Sequence, residues 1–227
     1  MFEIISRREL SPSIVEMRVK APRVATSGLP GQFVIVRIPL TICDTDPEAG
    51  TVTIVTQSIG ISSRKINSMQ QGESFADFAG PLGLPSDLLE IPEEELRKMR
   101  ILFVAGGVGT APVYPQVKWL HNHGVEADVI IGAKTKDLFT YVDEMEKVGR
   151  VHLCTDDGSA GHHGMVTDLL RVLVEEKGEK FDRCVVIGPM IMMKFTALAT
   201  KKYGIPTVAS LNALMVDGTG MCGACRV

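Results

Sequence analysis

The chain has 227 residues, enough for two modest domains or one large one. With 45% hydrophobic and 22% charged residues it reads as globular, and a net charge of -3 gives no electrostatic reason to expect a nucleic-acid or acidic-membrane partner. No apolar run approaches the roughly 20 residues of a membrane span. The opening MFEIISRREL is unlike a secretory leader. Five cysteines (Cys43, Cys154, Cys184, Cys222 and Cys225) are an odd number and do not suggest a disulfide framework, so a reducing cytoplasm is expected.

Up to about residue 97 the chain reads as short strands separated by turns. EIISRREL, IVEMRVKA, QFVIVRI, GTVTIVTQ and ESFADFAG are rich in Val, Ile, Thr and Phe, with Gly, Pro or Asp between them. SSRKINSMQQG is expected to be helical, with Ile66 and Met69 at helix spacing and Gly72 as its stop. A small antiparallel barrel over 1–97 is the expectation, with LEIPEEELRKMR leading out of it.

From residue 101 the rhythm changes. The apolar runs ILFVA, ADVIIG, VHLC, RCVVIG and PTVASL alternate with helical stretches APVYPQVKWLHNHG, LFTYVDEMEKVG, MVTDLLRVLVEEKG and PMIMMKFTALATKKYG, each closing on a glycine. That alternation predicts a doubly wound α/β domain over 98–211, its parallel sheet covered on both faces. The fold class is thus α+β in two domains, with 212–227 as a separate tail segment.

VAGGVGTAP follows the first strand of this half and opens its first helix. Gly107 and Gly109 match two glycines of a dinucleotide fingerprint, while Pro112 stands where the third belongs. Alone, such a turn is as readily structural as phosphate-binding. Three other strand ends, GAKTKD (132–137), TDDGSAG (155–161) and GPMIMM (188–193), fall on the same sheet edge, which favours a nucleotide cleft. No ribose-binding acid ends the second strand; Lys134 and Lys136 stand there, either to meet a 2′-phosphate or simply solvated, so NAD and NADP stay open.

RIPLTI (37–42), GISS (60–63) and GPLG (80–83) resemble the flavin-binding pattern of the ferredoxin–NADP reductase superfamily, whose domain order is also barrel first. The resemblance implies an FAD held by Arg37, Leu40, Thr41 and Val55, with Gly60, Ser62, Ser63 and Gly80 around its diphosphate. It further implies NAD(H) against Gly106, Gly107, Gly109, Thr110, Asp156, Asp157, Gly188, Pro189 and Met190. Hydride exchange between the two needs alignment rather than an acid or base, so no catalytic side chain is expected.

The tail NALMVDGTGMCGACRV is similar to that of dihydroorotate dehydrogenase electron-transfer subunits, and more so to the small subunits of NADH-dependent ferredoxin:NADP oxidoreductase and sulfide dehydrogenase. The first group binds a 2Fe–2S cluster through Cys-x4-Cys-x2-Cys and a later Cys. Here Asp217, Cys222 and Cys225 occupy the first three places. From the residues alone, the cysteine pair also suits a redox dithiol or half a zinc site, and Asp217 a turn cap. By resemblance the partners are a larger flavin and iron–sulfur subunit, forming a heterodimer, and ferredoxin. A nucleotide-binding module without redox centres is the reading from another class.

Two departures from the family stand out. A fourth cysteine, expected about a dozen residues beyond Cys225, is not in this sequence. GQFVIV also runs straight into RIPLTI without the family's hairpin insertion. Twelve residues without a turn signal are not expected to form two strands, which suggests that a loop and a tail are missing from the sequence. His121 and His123 read as solvated, Cys154 and Cys184 as buried thiols, and Met190, Met192 and Met193 as core filler. His162, His163 and Cys43 carry no assignment.

Overall fold

The computed structural model describes residues 1–211 and 214–226. The chain forms two compact units, Met1–Leu89 with the C-terminal segment, and Glu90–Leu211.

The first unit is an antiparallel half-barrel. Its strands are β1 (Phe2–Ser11), β2 (Ile14–Lys20), β3 (Phe33–Ile35), β4 (Pro39–Asp46), β5 (Thr51–Gln57), β6 (Ser74–Phe75) and β7 (Ala79–Leu82), in the order β6-β1-β2-β5-β4-β3-β7. Period-2 alternation sends Val15, Met17 and Val19 of β2 and Val52 and Ile54 of β5 into one core with Ile42, Ile66 and Phe78. Two helices close it, α1 (Pro22–Ser27) and α2 (Ile61–Ser68).

Several sequence expectations change here. QFVIVRI is not one strand. β3 ends at Ile35, residues 36–38 turn, and Ile35 pairs with Pro39, Val34 with Leu40 and Phe33 with Thr41. The Val36 N–H donates to the Ile38 carbonyl at 3.3 Å. Twelve residues therefore do make both strands, because three suffice to reverse an antiparallel pair and Pro39 tolerates the first strand position. ESFADFAG splits into β6 and β7, and PRVATS, unassigned in the sequence, forms α1 behind its N-terminal proline. α2 stops at Ser68, before Gly72, where Met69 turns extended.

The second unit is the expected parallel sheet. It contains β8 (Ile101–Gly106), β9 (Ala127–Ala133), β10 (Gly149–Thr155), β11 (His162–His163), β12 (Arg183–Ile187) and β13 (Thr207–Ala209), ordered β11-β10-β9-β8-β12-β13. Each described pairing is parallel. The helices are α3 (Glu93–Leu96), α4 (Thr110–Asn122), α5 (Val142–Glu146), α6 (Val166–Arg171) and α7 (Met190–Lys202). α5 is far shorter than LFTYVDEMEKVG suggests, and α6 relaxes into a π-helical turn over Val172–Glu176. His162 and His163, unassigned in the sequence, form an edge strand beside β10. Among the described residues no helix is long and apolar enough to cross a membrane.

At the opposite, N-terminal edge of this sheet a charged group is held inside. Asp128 on β9, its side chain 5% exposed, accepts from Arg100 Nη2 at 2.8 Å and lies 2.9 Å from His152 Nε2. Arg100 also pairs with Glu179. Burial would raise the Asp128 pKa, but the bonds from His152 and Arg100 and the charge of Arg150 outweigh it and hold the carboxyl below its ordinary value. A depressed carboxylate stabilises the fold above its ordinary pKa and loses that contribution as pH falls through the folded value. Stability should therefore decline on acidification below about pH 4. Asp128→Asn should flatten that decline and cost about 1–3 kcal/mol at neutral pH. Urea titrations of both proteins from pH 3 to 7 measure this, and superimposable pH profiles would count against the account.

Candidate functional site

The parallel sheet places the strand ends Gly106, Ala133, Thr155 and Ile187 along one edge, as the sequence alternation requires. Strand order reverses between β8 and β12: β9 and β10 lie to one side of β8, β12 and β13 to the other. Connections leaving adjacent strands in opposite directions open a crevice at that point. Gly106, Gly107, Gly109, Thr110, Gly188, Pro189 and Met190 all stand there.

The backbones meet closely at this edge. A Cβ on Gly109 would lie 2.3 Å from the Ile187 carbonyl oxygen, and one on Gly188 would lie 3.2 Å from the Gly106 nitrogen. Gly107 takes a positive φ of 57° with open space beside it, so the turn presents bare backbone outward. Thr110 is buried, and its hydroxyl donates to the Gly107 carbonyl at 2.9 Å, fixing the turn. Pro189 and Met190 are exposed at the start of α7. The neighbouring loops are tied together. The Asp156 N–H donates to the Ala133 carbonyl at 3.1 Å and the Lys136 N–H to Ser159 Oγ at 2.9 Å. The Ser159 hydroxyl first, and then the Ser159 N–H that donates to Asp157, hold the Asp157 pKa down. Lys134 and Lys136 are exposed.

In the half-barrel, Arg37 stands exposed in the β3–β4 turn, and among the described residues no hydrogen bond or ion pair engages its guanidinium. Ile42 pairs with Ile54 in the core, so Thr41 and Val55, one residue along each strand, face the other side. Thr41 is half-buried with its hydroxyl uncommitted among the described residues, whereas Leu40 packs into the core. α2 begins with first-turn N–H groups that have no intrahelical partner. Ser62 stands half-buried beside them. The Ser63 hydroxyl is already used: it accepts from the N–H groups of Ile59 (3.0 Å) and Gly60 (2.9 Å) and donates to the Gly60 carbonyl. Ser63 can thus offer only its backbone N–H outward. Gly60 leaves open space where a Cβ would be. At Gly80 a Cβ would meet Val34 Cγ1 at 2.7 Å, which accounts for that glycine by strand packing.

The C-terminal segment turns through three left-handed glycines, Gly218, Gly220 and Gly223. A Cβ on Gly218 would strike Ile35 Cδ1 at 2.5 Å, so the loop lies directly on β3. The Asp217 carboxylate accepts from the Thr219 N–H at 2.9 Å. That bond first, then contacts with the Cys222 thiol, the Thr219 hydroxyl and the Cys222 N–H, hold its pKa below the ordinary value. Asp217 is therefore both a turn cap and a neighbour of Cys222. Cys222 is exposed and Cys225 partly so, whereas Cys43, Cys154 and Cys184 are buried. Burial pushes the Cys154 and Cys184 thiols up to about 12, leaving them inert. Among the described residues, no three His, Cys, Asp or Glu side chains converge as a metal-binding set.

Other sequence candidates resolve into packing. His123 stacks on Trp119 at 4.0 Å and bonds to its carbonyl, so it is not merely solvated. Met193 is core, but Met190 is 60% exposed and not core filler.

No family model matches the chain. A Clostridium beijerinckii protein described as "Uncharacterized protein in adh 3'region" is 52% identical, with all of this chain and 79% of that protein covered. The Thermotoga maritima homologue of the electron transfer subunit of dihydroorotate dehydrogenase B (NAD(+)) is 40% identical over 99% of this chain and 79% of its own length. The solved NADH-dependent reduced ferredoxin–NADP oxidoreductase, studied for flavin-based electron bifurcation, contains a chain with TM-score 0.90 and 38% identity, covering 100% of this chain and 81% of that one. The chain belongs to the ferredoxin–NADP reductase-like electron-transfer subunits. The Clostridium alignment runs over 235 positions against the 227 residues of this electron-transfer subunit, a surplus of 8.

The tightest point of the site yields a test. Gly109→Ala forces the turn away from Ile187 and should destabilise the second unit by about 1–3 kcal/mol. Denaturant unfolding measures it, and a neutral substitution would show that the turn yields freely.

Proposed function

We propose that this electron-transfer subunit carries FAD on its half-barrel and a 2Fe–2S cluster on its C-terminal loop, and takes electrons from or returns them to NAD(H). The observation that carries the reading is Asp217 beside Cys222 in a loop seated on β3, at the spacing where the family's cluster ligands begin. The likeness to the ferredoxin–NADP oxidoreductase chain supports the same conclusion.

The available groups suit each cofactor. The uncommitted Arg37 guanidinium and the first-turn N–H groups of α2 provide positive charge and donors for a diphosphate. The Thr41 hydroxyl is free to donate to a flavin ring and fix its orientation. Gly107 and the close-packed Gly109 and Gly188 give a pyrophosphate direct access to backbone at the switch point. Two accessible thiols and one ionised carboxylate are acceptable donors to an iron–sulfur centre. When bound, the flavin supplies the exchange between two-electron hydride chemistry and single-electron transfer. The chain's part is to position, to neutralise phosphate charge and to set potentials.

By the same resemblance the partner is a larger flavin and iron–sulfur subunit, with ferredoxin as a redox participant and a cytoplasmic setting. The Thermotoga relative favours a second reading, the electron-transfer subunit of a dihydroorotate dehydrogenase. Asp217 in the first ligand place favours the ferredoxin–NADP oxidoreductase reading.

Purified anaerobically with its cofactors, the protein should show flavin bands with a broad iron–sulfur shoulder, and NADH should bleach the flavin. A colourless protein that binds no FAD, or a flavin unaffected by both NADH and NADPH, would end the proposal. Asp217→Cys should lower the cluster midpoint potential, since thiolate donates more strongly than carboxylate. An unchanged potential in a redox titration would remove Asp217 from the ligand set.

A further inference from the structure

A recess of about 250 Å³ lies between β1, the turn into β2 and the later part of α2, lined in part by Arg7, Glu9, Ser58, Arg64, Asn67 and Ser68. None of its lining residues belongs to the flavin set described above. At roughly 30 Å³ per water it accommodates several waters, and it falls below the roughly 300 Å³ at which drug-sized pockets begin. That size suits a small molecule.

Its chemistry is mainly that of donors. Arg64 lies one helical turn before Ser68 on the same face of α2, and among the described residues no hydrogen bond or ion pair engages its guanidinium. Arg7 reaches across from β1, and its Nη2 donates to the Asn67 backbone carbonyl at 3.1 Å and to Glu9 at 2.9 Å. Its Nε is buried without any partner. Two guanidinium groups against one carboxylate leave the lining with an excess positive charge.

Asn67 adds an acceptor. Its Nδ2 donates to the Thr56 carbonyl (3.0 Å), to Ser58 Oγ (2.8 Å) and to the Ser13 carbonyl (3.3 Å). Carbonyl partners fix that end of the amide as nitrogen. Oδ1 is then buried with no donor to meet it. A buried donor and a buried acceptor left unpaired each carry a desolvation cost. Both belong to residues lining the same recess, and a ligand that draws them into contact would recover that cost.

We propose that this recess binds a small oxyanion that keeps a hydroxyl hydrogen, the chemistry shared by inorganic phosphate and hydroxy acids. The anionic oxygens meet Arg7 and Arg64, and the hydroxyl donates to Asn67 Oδ1. Sulfate matches phosphate in size and charge but has no hydrogen to give at neutral pH, and acetate differs from glycolate in the same way.

The flavin-loaded protein, whose diphosphate site is filled, is titrated calorimetrically with phosphate, sulfate, glycolate and acetate. Phosphate or glycolate should bind at least tenfold more tightly than its hydroxyl-free counterpart, and the tighter of the two identifies the source. Arg64→Gln, an exposed substitution that should leave the flavin spectrum unchanged, should weaken that binding at least tenfold. Equal binding of sulfate and phosphate and of acetate and glycolate, insensitivity to Arg64→Gln, or no heat from any probe at 10 mM (about -2.7 kcal/mol by the affinity scale) would overturn the proposal.

Discussion

The second unit depends on one close approach, the β8–α4 turn against the end of β12. Gly109 stands where a Cβ would touch the Ile187 carbonyl, and Gly188 faces Gly106 across the same gap. These strands are adjacent, and their helices leave in opposite directions. Side chains on those glycines would force the strand ends apart and fill the crevice that the reversal opens. Packing and ligand access thus make the same demand at this point. Thr110, buried and bonded to the Gly107 carbonyl, holds the result rigid.

A comparable economy governs the half-barrel. Ser63 uses its hydroxyl to secure the start of α2, which leaves the first-turn N–H groups aligned and unspent. Arg37 is carried by a turn so short that its backbone has little freedom, and its guanidinium has no competing partner among the described residues. The groups suited to an anionic cofactor are those the fold does not consume. Leu40, Gly80 and Ser63 show the converse: their side-chain space or hydroxyl already belongs to the fold, so what they offer a ligand is backbone.

The parallel sheet was legible because its strands are nearly continuous apolar runs and its helices end on glycine. Both signals are local. The hairpin at 36–38 was not legible, since Val36 and Ile38 are β-formers with no turn chemistry and only the pairing of Ile35 with Pro39 reveals the reversal. α1 was hidden for a similar reason: PRVATS has Pro22 to start it but is too short for helical periodicity. The edge strand at His162 and His163 is made by its partner, Cys154 and Thr155, which no local pattern announces. Among site residues, glycines and the aspartate–cysteine spacing could be read directly. The commitment of the Ser63 and Thr110 hydroxyls could not, because hydrogen-bond direction depends on the folded backbone.

Asp217 shows why a capping role and a ligand role need not compete. A carboxylate has two oxygens and about four acceptor sites. The bond into the turn, from the Thr219 N–H, engages Oδ1. That bond lowers the carboxyl pKa, so the group is held ionised, the state a metal-bound ligand needs. The left-handed Gly218 then permits the sharp reversal that lays the loop on Ile35 and brings the carboxylate to Cys222. A cap that ionises and orients its own side chain leaves further acceptor sites open, so the turn is compatible with the proposed coordination.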